Sequence, residues 1–100
     1  MFFSRLMASF VRYIRQYYVD LEFEYWLNSQ GKFVGKNGKP VTVDTALLDC
    51  VNNCIKHGIY RASDHTSNIR KLLKNRETGS MLIKEDGITY TLTIRFVRVD

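Results

Sequence analysis

A chain of 100 residues, 45% hydrophobic and 25% charged, has the composition of an ordinary soluble globular protein; its length suits one hydrophobic core and excludes two. The formal charge of +5, with a pI near 9.4, favours acidic partners through long-range attraction. The charge is interleaved, with no tail of one sign: Arg5, Arg12 and Arg15 come first, then Asp20, Glu22 and Glu24, then Lys32, Lys36 and Lys39.

In the first segment Phe3, Leu6, Met7, Phe10, Ile14 and Tyr17 recur at three- and four-residue steps, which predicts an amphipathic helix over 2–17. Its arginines interrupt the apolar run that a signal peptide or spanning helix requires, so no membrane span and a cytoplasmic location are expected. The period then changes from helical to alternating. Val19, Leu21, Phe23 and Tyr25 alternate with the three carboxylates, predicting a half-buried strand over 18–26.

Asn37-Gly38 lies between two short β-prone pieces and suits a tight two-residue loop, giving a candidate hairpin over 32–43, with Pro40 confined to an edge or to the end of pairing. Asp44 is placed to cap a helix over 45–57 that buries Leu47, Leu48, Val51, Cys54 and Ile55 and ends at Gly58. Ser63 or Asp64 caps another helix, over 64–76, with Ile69, Leu72 and Leu73 facing inward. Beyond it, alternation on both sides of Asp86-Gly87 predicts a hairpin over 80–98. The expected fold is one α+β domain over 1–100, with a small antiparallel sheet, about three helices and a C-terminal β-hairpin.

The stretch SNIRKLLKNRETG followed by MLIKEDGITYTLTI resembles the recognition helix and wing of a winged-helix DNA-binding domain, and residues 45–57 would then supply the preceding helix. The resemblance implies that Ser67, Arg70, Lys71 and Lys74 face the major groove or flanking phosphates and that Lys84 sits on the wing. Arg76 extends the same basic run. Lysine and arginine on one helical face neutralise phosphates, while serine and arginine reach base edges. The same cations equally describe the solvated face of an amphipathic helix.

Other constellations have plainer roles beside the chemical ones. Cys50, Cys54, His57 and His65 include zinc-ligand types, with the first three on one helical face, yet Cys54 also belongs to the apolar stripe, and buried thiols with ordinary histidines fit as well. No nucleophile, base and orienting group fall together and no phosphate-binding glycine loop occurs, so neither an enzyme nor a cofactor is expected. On the first helix Phe3, Leu6, Phe10, Tyr13 and Tyr17 form an aromatic face suited to the core, to a homodimer interface or to adsorption on a membrane surface. Two functions follow as expectations: a small nucleic-acid-binding regulator or accessory protein, and an inhibitor or adaptor of phage or mobile-element type that meets a protein partner through exposed aromatic and basic residues.

Overall fold

A computed structural model describes residues 17–99. The helix expected over 2–17, and with it Phe3, Leu6, Phe10 and Tyr13, lies outside the described residues, except for Tyr17, which begins the first strand. Strand β1 spans Tyr17–Leu27 and β2 is the two-residue Phe33–Val34. Helices α1 (Val43–Lys56) and α2 (Thr66–Asn75) follow, with a 3-10 turn at Ala62–His65 between them, and β3 (Gly79–Glu85) and β4 (Ile88–Arg98) complete the chain.

The four strands form one sheet in the order β2-β1-β4-β3. Here the antiparallel expectation is corrected: β1 and β4 run parallel through all of β1, from Tyr17 opposite Ile88 to Leu27 opposite Arg98, so the sheet is mixed. Parallel neighbours cannot be joined by a tight turn, and the two helices supply the crossover. Among the described residues there are two α-helices rather than about three. The fold is α+β with one sheet and one helical layer.

Alternation decides which strand residues meet the helices. Leu92 and Ile94 on β4 and Ile83 on β3 are buried beside Phe33, Leu27 and Tyr90 in a cluster completed by Ala46, Cys50 and Cys54 from α1 and by Ile69 and Leu73 from α2. The opposite sheet face carries Asp20, Glu22 and Glu24 on β1, Thr91, Thr93 and Arg95 on β4, and Ser80, Leu82 and Lys84 on β3, as the register and burial alternation require.

Local chemistry fixes the connections. The Asp86-Gly87 loop has positive φ at both positions, 51° and 78°, the type I′ geometry whose twist matches the flanking strands. At the first hairpin, by contrast, the expected two-residue Asn37-Gly38 loop is longer: Gly35 N–H donates to the Lys39 carbonyl, Gly38 N–H donates to the Gly35 carbonyl, and only Gly38 (φ 79°) is left-handed. Pairing there is limited to a bridge between Val34 and Pro40 and a bond from Val41 N–H to the Phe33 carbonyl, since proline offers no donor to extend the ladder. The cap of α1 is Thr42, whose hydroxyl accepts from Thr45 N–H, and not Asp44, which falls inside the first turn.

Candidate interaction site

The predicted cations occupy different surroundings. Arg70 on α2 is ion-paired with Asp44 on α1. Arg76 caps α2 in the left-handed conformation; its Nε donates to the Gly31 carbonyl at 2.8 Å and its guanidinium lies 4.9 Å from the Phe33 ring centroid. It ties the end of α2 to the β1–β2 turn. Ser67, Lys71 and Lys74 form one exposed stripe on α2 at steps of four and three residues. Lys84 follows the buried, helix-facing Ile83 in β3, so it projects from the opposite face of the sheet. The structure brings Ser67, Lys71 and Lys74 together and sets Lys84 apart from them.

Cys50 and Cys54 are both fully buried on α1 with free thiols. Their mutual hydrogen bond, together with burial, pushes the Cys50 thiol well above the ordinary thiol range and pulls the Cys54 thiol below it, so the two thiols satisfy one another within the core. His57 is exposed and stacks obliquely on Phe23 at 5.7 Å between ring centroids, and His65 lies in the 3-10 turn. Among the described residues no group of three or more histidine, cysteine or acidic side chains is arranged to hold a metal ion.

A different surface emerges at β1. Its partner β2 pairs only with Trp26 and Leu27, so from Val19 to Tyr25 no described strand lies on the outer side of β1. Hydrogen bonds at the two ends fix which backbone groups face outward. Tyr17 N–H donates to the Gly87 carbonyl and the Leu27 carbonyl accepts from Val99 N–H, so the odd-numbered residues turn toward β4. Asn28 N–H donates to the Lys32 carbonyl on the other side, as the alternation demands. Asp20, Glu22 and Glu24 therefore direct both their N–H and C=O groups away from the sheet.

The helix-side residues of this edge are incompletely covered. Val19, Leu21 and Phe23 are half-buried, whereas their β4 register partners Tyr90, Leu92 and Ile94 are 5% exposed or less. Where β2 begins, the edge opens into a cleft of about 560 Å³ between β1, the 33–36 segment and the first half of α1. Its apolar wall is Tyr25, Trp26, Phe33, Val34, Val41 and Ala46; Glu24, Lys36, Thr45 and Asp49 supply polar groups. Apolar walls with a few convergent polar groups are the usual form of a recognition pocket.

Two hydrogen bonds shape the cleft. Tyr25 Oη donates to Asp49 Oδ2 at 2.8 Å, and Trp26 Nε1 donates to Glu24 Oε1 at 2.9 Å. Burial, with the nearby Cys50 and Asp49, raises the Tyr25 hydroxyl far above the ordinary tyrosine range, so it remains a neutral donor. Phe33 anchors the floor, edge-on to Tyr25 at 6.4 Å and tilted against Phe96 at 5.9 Å.

The sequence carried one signal for this site, the alternating carboxylates, which mark the exposed face of a half-buried strand. The cleft itself had none, because it is assembled from three elements. Among the described residues no helix is long and apolar enough to cross a membrane. Comparison with known proteins returns no matching family model, no matching curated protein and no matching solved structure.

Proposed function

We propose that this chain is a non-enzymatic protein-interaction module that accepts an extended segment of its partner as an added strand along β1. The observation that carries this reading is the run Val19–Tyr25, a strand edge along which no other described strand pairs, and which ends at an aromatic-walled cleft. Main-chain hydrogen bonds to an exposed edge supply affinity in this mode of recognition, and pockets for individual side chains supply specificity. Here the outward groups of Asp20, Glu22 and Glu24 would make the bonds, and the cleft would take one apolar side chain.

Glu22→Pro tests the reading. The Glu22 N–H faces away from β4, so proline removes a donor that the parallel ladder does not use. Strand-forming heptapeptides titrated into labelled protein should shift and protect the backbone amides of Asp20, Glu22 and Glu24, and Glu22→Pro should abolish the effect while leaving the circular dichroism spectrum unchanged. Amides that respond on α2 but not on β1 would overturn the reading.

A second reading, nucleic-acid binding by α2, is favoured by the Ser67, Lys71 and Lys74 stripe; among the described residues neither lysine belongs to an ion pair. Magnitude limits it. Two neutralised phosphates give a salt slope of about −1.8, well short of the slope for a protein making six to ten contacts. Duplex oligonucleotide binding at low salt, lost on the double change Lys71→Gln and Lys74→Gln, would mark this second activity.

A further inference from the structure

The strand that fits β1 has a definite chemistry, and this inference rests on the interaction reading above. We infer that the partner segment alternates basic and apolar residues, with its lysines or arginines on the carboxylate-bearing sheet face and its apolar side chains on the helix side.

Two independent features of the edge impose that pattern. On the open face, Asp20, Glu22 and Glu24 follow one another at every second position, so each side chain of an added strand on that face sits beside a carboxylate. Among the described residues, Asp20 makes no ion pair, Glu22 makes a loose one with Arg95 at 3.6 Å, with both side chains 57% exposed, and Glu24 accepts only the neutral Trp26 indole N–H. On the helix side, Val19, Leu21 and Phe23 are half-buried, and an apolar side chain between them and solvent would complete their burial. A strand meeting both demands reads basic, apolar, basic, apolar.

The outer edge of β3, which has no neighbour among the described residues, sharpens the selection. Glu85 and Ile88 flank a two-residue type I′ loop and so form a hydrogen-bonded pair, and counting back along β3 leaves Ser80, Leu82 and Lys84 with outward backbone groups. The 2.8 Å contact between Ser80 Oγ and Thr93 Oγ1 agrees, because side chains approach most closely across non-hydrogen-bonded pairs. Lys84 makes that edge cationic. A basic strand is therefore drawn to β1 and away from β3, and acidic strands are repelled from β1.

The test compares three blocked heptapeptides with valine at alternate positions and lysine, threonine or glutamate between, read by amide shifts and hydrogen exchange on labelled protein. The expected order is lysine, then threonine, then glutamate. Summed over three cross-strand charge pairs, lysine should exceed glutamate by about tenfold or more at low salt, and the gap should narrow as salt rises. Protection should fall on Asp20, Glu22 and Glu24, not on Ser80, Leu82 and Lys84. In the variant Asp20→Lys with Glu22→Lys the preference should invert. If lysine and threonine peptides bind β1 equally well, this inference fails while the interaction reading stands; if none of the three protects β1, the reading fails with it.

Discussion

Replacing Arg76 by alanine and, separately, by glycine isolates two opposing contributions at one residue. Arg76 has φ 55° and ψ 23°, a left-handed conformation that costs a non-glycine residue about 1 kcal/mol or more. Its side chain offsets that cost. The partly buried bond to the Gly31 carbonyl is worth about 1.5 kcal/mol for a charged donor, the exposed 3.1 Å bond to the Lys74 carbonyl about 0.5, and the guanidinium over Phe33 about 0.5–1. Arg76→Ala keeps the backbone cost and loses all three contacts, so it should destabilise by about 2.5–3 kcal/mol. Arg76→Gly loses the same contacts but relieves the backbone, and should be the milder change by about 1 kcal/mol. Urea unfolding followed by far-ultraviolet circular dichroism measures both, and the alanine variant should melt about 10–20 °C lower. Alanine within about 0.5 kcal/mol of the parent would refute the account of the contacts. Equal values for alanine and glycine would refute the account of the backbone.

Gly58 has φ 102°, and a β-carbon there would stand 2.9 Å from Tyr90 Oη, so Gly58→Ala should cost more than about 2 kcal/mol. Tyr90→Phe in that background should recover part of the loss, and strictly additive melting data would show that the clash is not the cause. At alkaline pH the raised Tyr25 hydroxyl sets the sign: its folded-state value lies above its unfolded value, so its contribution is complete below about pH 10 and is lost as pH rises beyond that. Tyr25→Phe should flatten the decline in unfolding free energy across this range, and an identical decline in both proteins would assign it elsewhere.

The elements were more legible than their arrangement. Expected spans of 18–26, 45–57, 64–76 and 80–98 correspond to β1, α1, α2 and the β3–β4 hairpin within a few residues, because each has a clear hydrophobic period and Asp86-Gly87 has one favoured turn geometry. Alternation in Val19, Leu21 and Phe23 states that one face is buried; it is silent on the neighbouring strand, so the parallel pairing with β4 could not be read from it. Arg76 was expected to be a phosphate contact because charge is visible in a sequence, whereas a left-handed helix cap without glycine is not. The winged-helix resemblance implies a wing position for Lys84 beside the α2 cations, whereas strand parity sets it on the other face of the sheet. The cleft depends on β2 stopping after two residues, a length that Pro40 hinted at without determining.

The β1–β4 pairing also governs how the molecule comes into being on the ribosome. Tyr17 waits for Ile88 and Leu27 for Arg98, a lag of 71 residues in each case. At roughly 5–20 residues per second, that is about 4–14 s during which a newly made apolar strand has no permanent neighbour. The early carboxylates then act as a solubilising guard on a nascent chain, and the closing of the sheet, being so non-local, sets the pace of folding.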